Sequence, residues 1–255
     1  MSLRIYEDAE KASMAAADLG ASKIRAAIEE RGAANIVIAT GASQFAMLKH
    51  LTVAPGIDWG RVTMFHLDEY VGLPETHPAS FRRYIRERFI ARLPRALKAA
   101  HFVDGSAPDP ERVCEELGGI IAEHPVDVCF IGIGENGHIA FNDPPADFDT
   151  EKAYLVVHLD EACRKQQLGE GWFAGIDEVP KRAISMSVRQ VLKSRSIINT
   201  VPDKRKAHAV KITFEGELCP DHPASVIRLH PDCETFVDPD AASELSDLAR
   251  TFCRV

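Results

Sequence analysis

Apolar residues recur at spacings of three and four through Met14, Ala17, Ala21, Ile24 and Ile28, which predicts a helix over about residues 7 to 31, with Gly32 placed to end it. A β-branched run from Asn35 to Thr40 then reads as a strand, broken at Gly41, after which Phe45, Leu48 and Leu51 resume a helical spacing. Arg61 to His66 is a second strand. Pro78 stands at a favourable first-turn position for a helix carrying Phe81, Ile85 and Phe89 on one face. A helix over about 109 to 123 leads into a strand at Val126 to Ile131. Further strands are expected at Tyr154 to Leu159, Ala183 to Val188 and Arg195 to Val201, and helices over about 203 to 212 and 240 to 252. Pro144 to Thr150 and Gly169 to Pro180 read as loops.

Strands alternating with helices of about ten or more residues predict an α/β fold: one three-layer α/β/α domain over residues 1–255 with a mostly parallel, Rossmann-like sheet. Ligands of such sheets bind beyond the carboxyl ends of the strands. Three loops following predicted strands are therefore the places to look for chemistry.

Composition narrows the partners. The chain has 255 residues, 45% hydrophobic and 27% charged, within the globular range. A net charge of −8 argues against a nucleic-acid or anionic-membrane footprint, which needs clustered Lys and Arg. No apolar stretch approaches the roughly 20 residues that span a bilayer, and the first residues lack the hydrophobic core of a secretion signal. The six cysteines form no C-x-x-C pair, so reduced, packed thiols in a cytoplasmic protein are expected.

The most conspicuous motif is Gly132-x-Gly134-x-x-Gly137, a dinucleotide fingerprint that follows a strand and has Asp160 near the place of a ribose-binding acid. A dinucleotide site needs a helix opening at the last glycine, and Pro144 and Pro145 leave space for barely two turns. A shaped polar loop fits better. It carries His138, with Asn136 and Asp143 close by, and a histidine oriented by a carboxylate can shuttle protons near neutral pH; a structural histidine is the plainer reading. The loop Thr40-Gly41-Ala42-Ser43 offers either backbone N–H groups for a phosphate or a plain turn capped by Ser43. His66 to Leu73 places Asp68 and Glu69 at a strand end, at most one of which need face a ligand; both are otherwise solvated loop acids. Lys204-Arg205-Lys206 is a solvated helix start or, in an acidic protein, a partner for phosphate. A metal site from His66, Asp68 and His138 is chemically workable but has no supporting spacing, and the serine-hydrolase motif Gly-x-Ser-x-Gly is absent.

Phe65 to Leu73 (FHLDEYVGL) followed by His77-Pro78, and Gly132 to Pro144 (GIGENGHIAFNDP), together resemble the glucosamine-6-phosphate deaminases, also called isomerases. Ala39 to Ser43, Lys206-Ala207, Pro223 to Ser225 and Leu229-His230 extend the similarity over about residues 35 to 237. The resemblance implies conversion of glucosamine 6-phosphate and water to fructose 6-phosphate and ammonia, without metal or cofactor. It makes Asp68 the base that moves a proton between C2 and C1, and His138 the group that opens the sugar ring, held by Asn136 and Asp143. Gly41, Ala42, Ser43, Glu69, Gly137 and Lys206 fall to substrate binding. The ligand is a small sugar phosphate, and an oligomer is compatible with the sequence without following from it.

The chain departs from the family pattern in four places. Asn136 replaces an Asp and Asp143 a Glu, so His138 should hold a protonated form less firmly. Gly171 or Trp172 stands where a phosphate-binding arginine is expected, with Arg164 or Lys165 as possible substitutes. The segment Pro145 to Leu155 lacks the basic pair of the family's allosteric members, so activation by N-acetylglucosamine 6-phosphate is not expected. Other readings are a 6-phosphogluconolactonase-like hydrolase, a related hexosamine-phosphate isomerase, and a non-catalytic sugar-phosphate sensor; the DEYVGL segment favours the deaminase.

Overall fold

The structure, a computed structural model, describes residues 2–253. Its strands are β1 (Ser2–Ile5), β2 (Ala34–Ile38), β3 (Val62–His66), β4 (Asp68–Tyr70), β5 (Ala99–His101), β6 (Val128–Ile131), β7 (Tyr154–His158), β8 (Arg182–Met186), β9 (Ser196–Thr200) and β10 (Cys233–Val237). Its helices are α1 (Ala9–Arg31), α2 (Phe45–Val53), α3 (Phe81–Arg88), α4 (Pro110–Ala122), α5 (Glu161–Gly169), α6 (Val188–Leu192), α7 (Ala207–Glu215) and α8 (Asp247–Phe252). The expected domain of 1–255 runs past the described residues at Met1, Arg254 and Val255. No helix among the described residues is long and apolar enough to cross a membrane.

Seven strands form one parallel sheet in the order β1-β10-β9-β6-β2-β3-β5. Its central strands are apolar on both faces because helices cover both. Alternate residues go to opposite layers: Ile36, Ile38, Met64 and Phe130 pack with Ile24 of α1 and Leu48 of α2, whereas Val37, Phe65 and Ile131 pack with Leu117 of α4 and Val210 of α7. Helix α1 starts where the Asp8 side chain accepts from Lys11 N, and ends at Gly32, whose φ of 77° is the left-handed cap anticipated from the sequence. Connections leave β2 toward β3 on one side and β6 toward β9 on the other, so the strand order reverses between β2 and β6. A crevice opens at such a reversal, beyond the strands' carboxyl ends.

The expected sheet is only part of the architecture. Tyr154–His158 and Arg182–Met186 do not join the parallel sheet but pair antiparallel with each other and with Asp68–Tyr70, in the order β4-β8-β7. The alternation of Ile184 and Met186 with serines is the pattern of an antiparallel strand, so the correction has a sequence basis. Further differences are local. Ser80, not Pro78, starts α3, its side chain accepting from Arg83 N. The helix expected over 203 to 212 is a 3-10 turn at Lys204–Lys206 followed by α7, and that over 240 to 252 reduces to α8. Helix α5 was not anticipated: Asp160, the residue at the ribose-acid spacing, is its N-cap, accepting from Cys163 N at 2.6 Å.

Candidate active site

Four loops leave the carboxyl ends of β2, β3, β6 and β9 and meet in one cleft, joined on its open side by α5. Gln44 ties three of them at their roots: its buried amide donates to Ile131 O at 3.0 Å, Thr200 O at 3.1 Å and Ser43 Oγ at 3.0 Å. The glycines of the 132–137 run now have distinct reasons. A Cβ on Gly132 would stand 2.7 Å from Ser43 Oγ, and one on Gly134 would penetrate the His138 imidazole, which lies flat against that backbone. Gly137 turns the chain with a φ of 86°. No helix opens there; the run is a seat for a histidine.

The imidazole is held from behind. His138 Nδ1 lies 3.0 Å from Asp143 Oδ1, and both side chains are less than a tenth exposed, at 8% and 6%. Asn136 accepts from His138 N at 3.1 Å and donates to both Asp143 Oδ1, at 3.0 Å, and Asp160 Oδ2, at 3.2 Å. An aspartate at 136 would set a third carboxylate against these two, so the amide is the residue that fits this surround. Burial pushes the Asp143 carboxyl up, but hydrogen bonds from His138, Asn136 and Asp160 N together hold it below the usual carboxylate range. Asp143 is thus an ionised partner for the ring. Its loop is fixed by Ser185 Oγ, which accepts from Phe141 N at 3.0 Å and Asn142 Nδ2 at 3.2 Å.

Asp68 and Glu69, neighbours in β4, face opposite ways and differ in kind. Asp68 lines the cleft, is 6% exposed, and its carboxyl takes no hydrogen bond from the described residues. Burial, and then the Glu69 charge, push its carboxyl up to about 8. Glu69 is fully buried and outside the cleft lining, so it is not positioned for the expected substrate contact. It accepts from Tyr70 N, Phe81 N, Arg82 N and Ser80 Oγ, with the Arg82 guanidinium at 3.5 Å, and so anchors the start of α3. Neither acid is solvated. Burial pushes Glu69 up as well, but these four hydrogen bonds oppose it.

A buried amine and the 41–43 turn also line the cleft. Lys206 is 7% exposed, lines the cleft and makes no ion pair within 4 Å among the described residues. Burial lowers its proton affinity, while Glu135 and Glu170 raise it. A charged amine buried without a partner is costly, and an anion in the cleft would offset that cost. Gly41, Ala42 and Ser43 line the same cleft at the start of a 3-10 turn, whose first N–H groups have no internal acceptor. Ser43 does not cap the turn; Gly41 occupies the cap position. Arg205 also lines the cleft but is engaged by Asp203, with Nε and Nη2 at 3.1 and 2.8 Å.

Other candidates from the sequence are placed elsewhere. Arg164 does not replace the missing arginine: its guanidinium donates to Ile176 O and Val179 O and braces the 169–180 segment, outside the cleft lining. Lys165 pairs with Glu161 on the exposed face of α5. Gly137 shapes the loop without lining the cleft. The three-residue metal set is not assembled either, since His66 is fully buried, with Nδ1 accepting from Val103 N at 3.4 Å, and lies outside the cleft lining. Sequence reasoning missed the α5 wall. Gln166 accepts from Glu135 N at 2.7 Å, Gln167 accepts from Tyr70 Oη at 2.5 Å, and Glu170 faces the same space. The helix-start pattern Asp160-Glu161 was the available signal. Ala140 and Asp203, non-glycine residues with φ of 52° and 89°, both line the cleft, where strain of about 1–3 kcal/mol each is typically tolerated.

Residues 7–237 match the family described as glucosamine-6-phosphate isomerases/6-phosphogluconolactonase. A glucosamine-6-phosphate deaminase of Lactobacillus delbrueckii subsp. bulgaricus is 34% identical over 245 residues, 96% of this chain and 100% of that protein. A solved structure of a monomeric glucosamine-6-phosphate deaminase superposes with a TM-score of 0.87 at 31% identity, covering 95% of this chain and 99% of that one. The 6-phosphogluconolactonase of Thermotoga maritima reaches 0.76 at 19% identity, covering 93% and 99%, a likeness of fold.

Proposed function

The chain belongs to the family of glucosamine-6-phosphate isomerases and 6-phosphogluconolactonases, and within it we propose that it is a glucosamine-6-phosphate deaminase, converting glucosamine 6-phosphate and water to fructose 6-phosphate and ammonia. The observation that carries this reading is the condition of Asp68: a carboxyl lining the cleft, free of hydrogen bonds from the described residues, with its proton affinity raised to about 8. Removing hydrogen from carbon needs a positioned carboxylate that is a stronger base than usual and is not already committed. Hydrolysis of a lactone needs no such step.

In this reading Lys206 and the 41–43 turn receive the phosphate, and His138 opens the ring by exchanging protons between O1 and the ring oxygen. Asp68 takes the C2 proton and returns it to C1, which leaves a C=N bond at C2. Water adds there, and ammonia leaves as the C2 carbonyl forms. Asp143 and Asn136 orient the imidazole. The proton transfers of ring opening and of the C2-to-C1 step fall to this chain's own groups; in this reading the reaction uses neither metal nor cofactor and belongs with cytoplasmic amino-sugar catabolism.

Incubation of the chelator-treated protein with glucosamine 6-phosphate should release ammonia and fructose 6-phosphate in equal amounts. If it instead hydrolyses 6-phosphogluconolactone, the lactonase reading wins; binding without turnover would make the protein a sensor.

A further inference from the structure

Behind His138, on the side away from the cleft, α5 brings a third donor to the His138–Asp143 pair. A ring nitrogen of His138, a carboxylate oxygen of Asp143 and Sγ of Cys163 all lie within 4.8 Å of one another, the one such group of three among the described residues. Cys163 is 1% exposed. Tetrahedral zinc, with bonds of about 2.0–2.3 Å, separates its ligands by about 3.3–3.8 Å, so the donors need to close by on the order of 1 Å. One sulfur, one imidazole nitrogen and one carboxylate suit a borderline or soft cation, not magnesium or calcium.

The charges around this point favour a cation too. Asp143, Asp160 and Asp68 all act on the Cys163 thiol and, after burial, raise its proton affinity. Among the described residues no lysine or arginine pairs with Asp143 or Asp160: besides the His138 ring, their side-chain partners are the Asn136 amide and the backbone N–H groups of Asp160 and Cys163. The same negative field that disfavours a thiolate stabilises a divalent ion, and a coordinating thiol then gives up its proton.

We infer that His138, Asp143 and Cys163 form an inhibitory site for a thiophilic divalent cation such as Zn²⁺, with water in the fourth position. On binding, the Cys163 S–H bond breaks, a sulfur–metal bond forms, and one proton leaves to solvent. Coordination at Nδ1 moves the imidazole proton to Nε2, so that the nitrogen serving the cleft becomes a fixed donor and can no longer accept. The inhibition, though not the site itself, rests on the proposed role of His138.

The test uses chelator-treated full-length protein with Zn²⁺ or Co²⁺ alone as probe. Unmodified protein should show a near-ultraviolet thiolate-to-cobalt band, and Zn²⁺ should suppress ammonia release. Cys163→Ser should lose the band and raise the half-inhibiting Zn²⁺ concentration about 100-fold or more, since even residues behind metal ligands cost 10–100-fold. Each variant is read against its own metal-free rate. Cys219, whose Sγ lies 3.7 Å from His222 Nδ1 nearer the surface, is the competing thiol; Cys219→Ser should retain both signals. The inference is overturned if unmodified protein shows no thiolate band, if Cys163→Ser leaves inhibition in place, or if Cys219→Ser removes it. The band needs neither turnover nor the Cys163 variant, so it decides the site even if the deaminase reading fails or that variant does not fold.

Discussion

Replacing Asp68 by Asn should stabilise the protein at the pH where it abolishes turnover. The carboxyl rises from an ordinary value of 3.8 to about 8 in the folded chain, chiefly through burial. Below pH 3.8 it is protonated in both folded and unfolded states and contributes no pH dependence. Between those two values the unfolded chain releases the proton and the folded chain keeps it, so Asp68 makes stability fall as pH rises, by about 1.4 kcal/mol per pH unit. Above about 8 the carboxylate is ionised in both states and the loss is complete. Over about four units this amounts to on the order of 5 kcal/mol. Asn cannot titrate, so the gap between variant and wild type should be near zero at pH 4 and open steadily to pH 8. Urea unfolding at one-unit pH steps reads it directly. With an m-value of about 1–3 kcal/mol/M, the variant's midpoint at pH 8 should lie about 2 M or more higher. Parallel stability curves from pH 4 to pH 8, or a wild type that is the more stable at pH 8, would refute the buried, uncommitted carboxyl on which the function rests.

Other perturbations separate the remaining roles. Because Asp68 acts as a base only when ionised, kcat/KM should climb with pH toward about 8; Glu69→Gln removes the neighbouring charge and should move that rise to lower pH, while costing about 3–5 kcal/mol of stability because Arg82 loses a buried partner. Lys206→Met should raise KM about 10- to 150-fold, the worth of a hydrogen bond to a charged group, with a smaller change in kcat and no loss of thermal stability. Gly134→Ala must displace the imidazole and should cut kcat about 100-fold, whereas inorganic phosphate should still protect Lys206 from acylation.

What the sequence discloses follows from range. Helix α1 and strands β2, β3 and β6 announce themselves because each buries a continuous apolar face, and periodicity reports burial. The identities of Asp68 and His138 are legible because both sit where a predicted strand ends. The role of Glu69 is not: it depends on three backbone N–H groups and a serine hydroxyl contributed from residues 70 to 82, a closure that no local spacing encodes. Arg164 misleads for the same reason, since a cation near an expected anion site looks available until its guanidinium is found on the carbonyls of Ile176 and Val179. Helix α5 escapes because only Cys163 and Gln167 along it are buried, too few to show a periodic stripe.

The two sheets divide the work in a way that explains why Asp68 and His138 can act on one small molecule. The parallel sheet brings backbone loops together at its carboxyl edge, which suits holding a phosphate but does not by itself set the base against the histidine loop. The antiparallel sheet supplies that link. Asp68 is paired in register with Ser185 across β4 and β8, and the hydroxyl of that same Ser185 accepts from Phe141 N and Asn142 Nδ2 of the loop bearing His138. One buried serine therefore fixes the base and the histidine loop relative to each other. A misplacement of 1 Å costs about 100-fold in rate, so such cross-bracing is part of catalysis as much as of folding. Ser185→Ala, which removes the hydroxyl and leaves the strand pairing, should consequently lower kcat more than it lowers affinity for a sugar phosphate, because the phosphate end of the cleft hangs on Gln44 and not on Ser185.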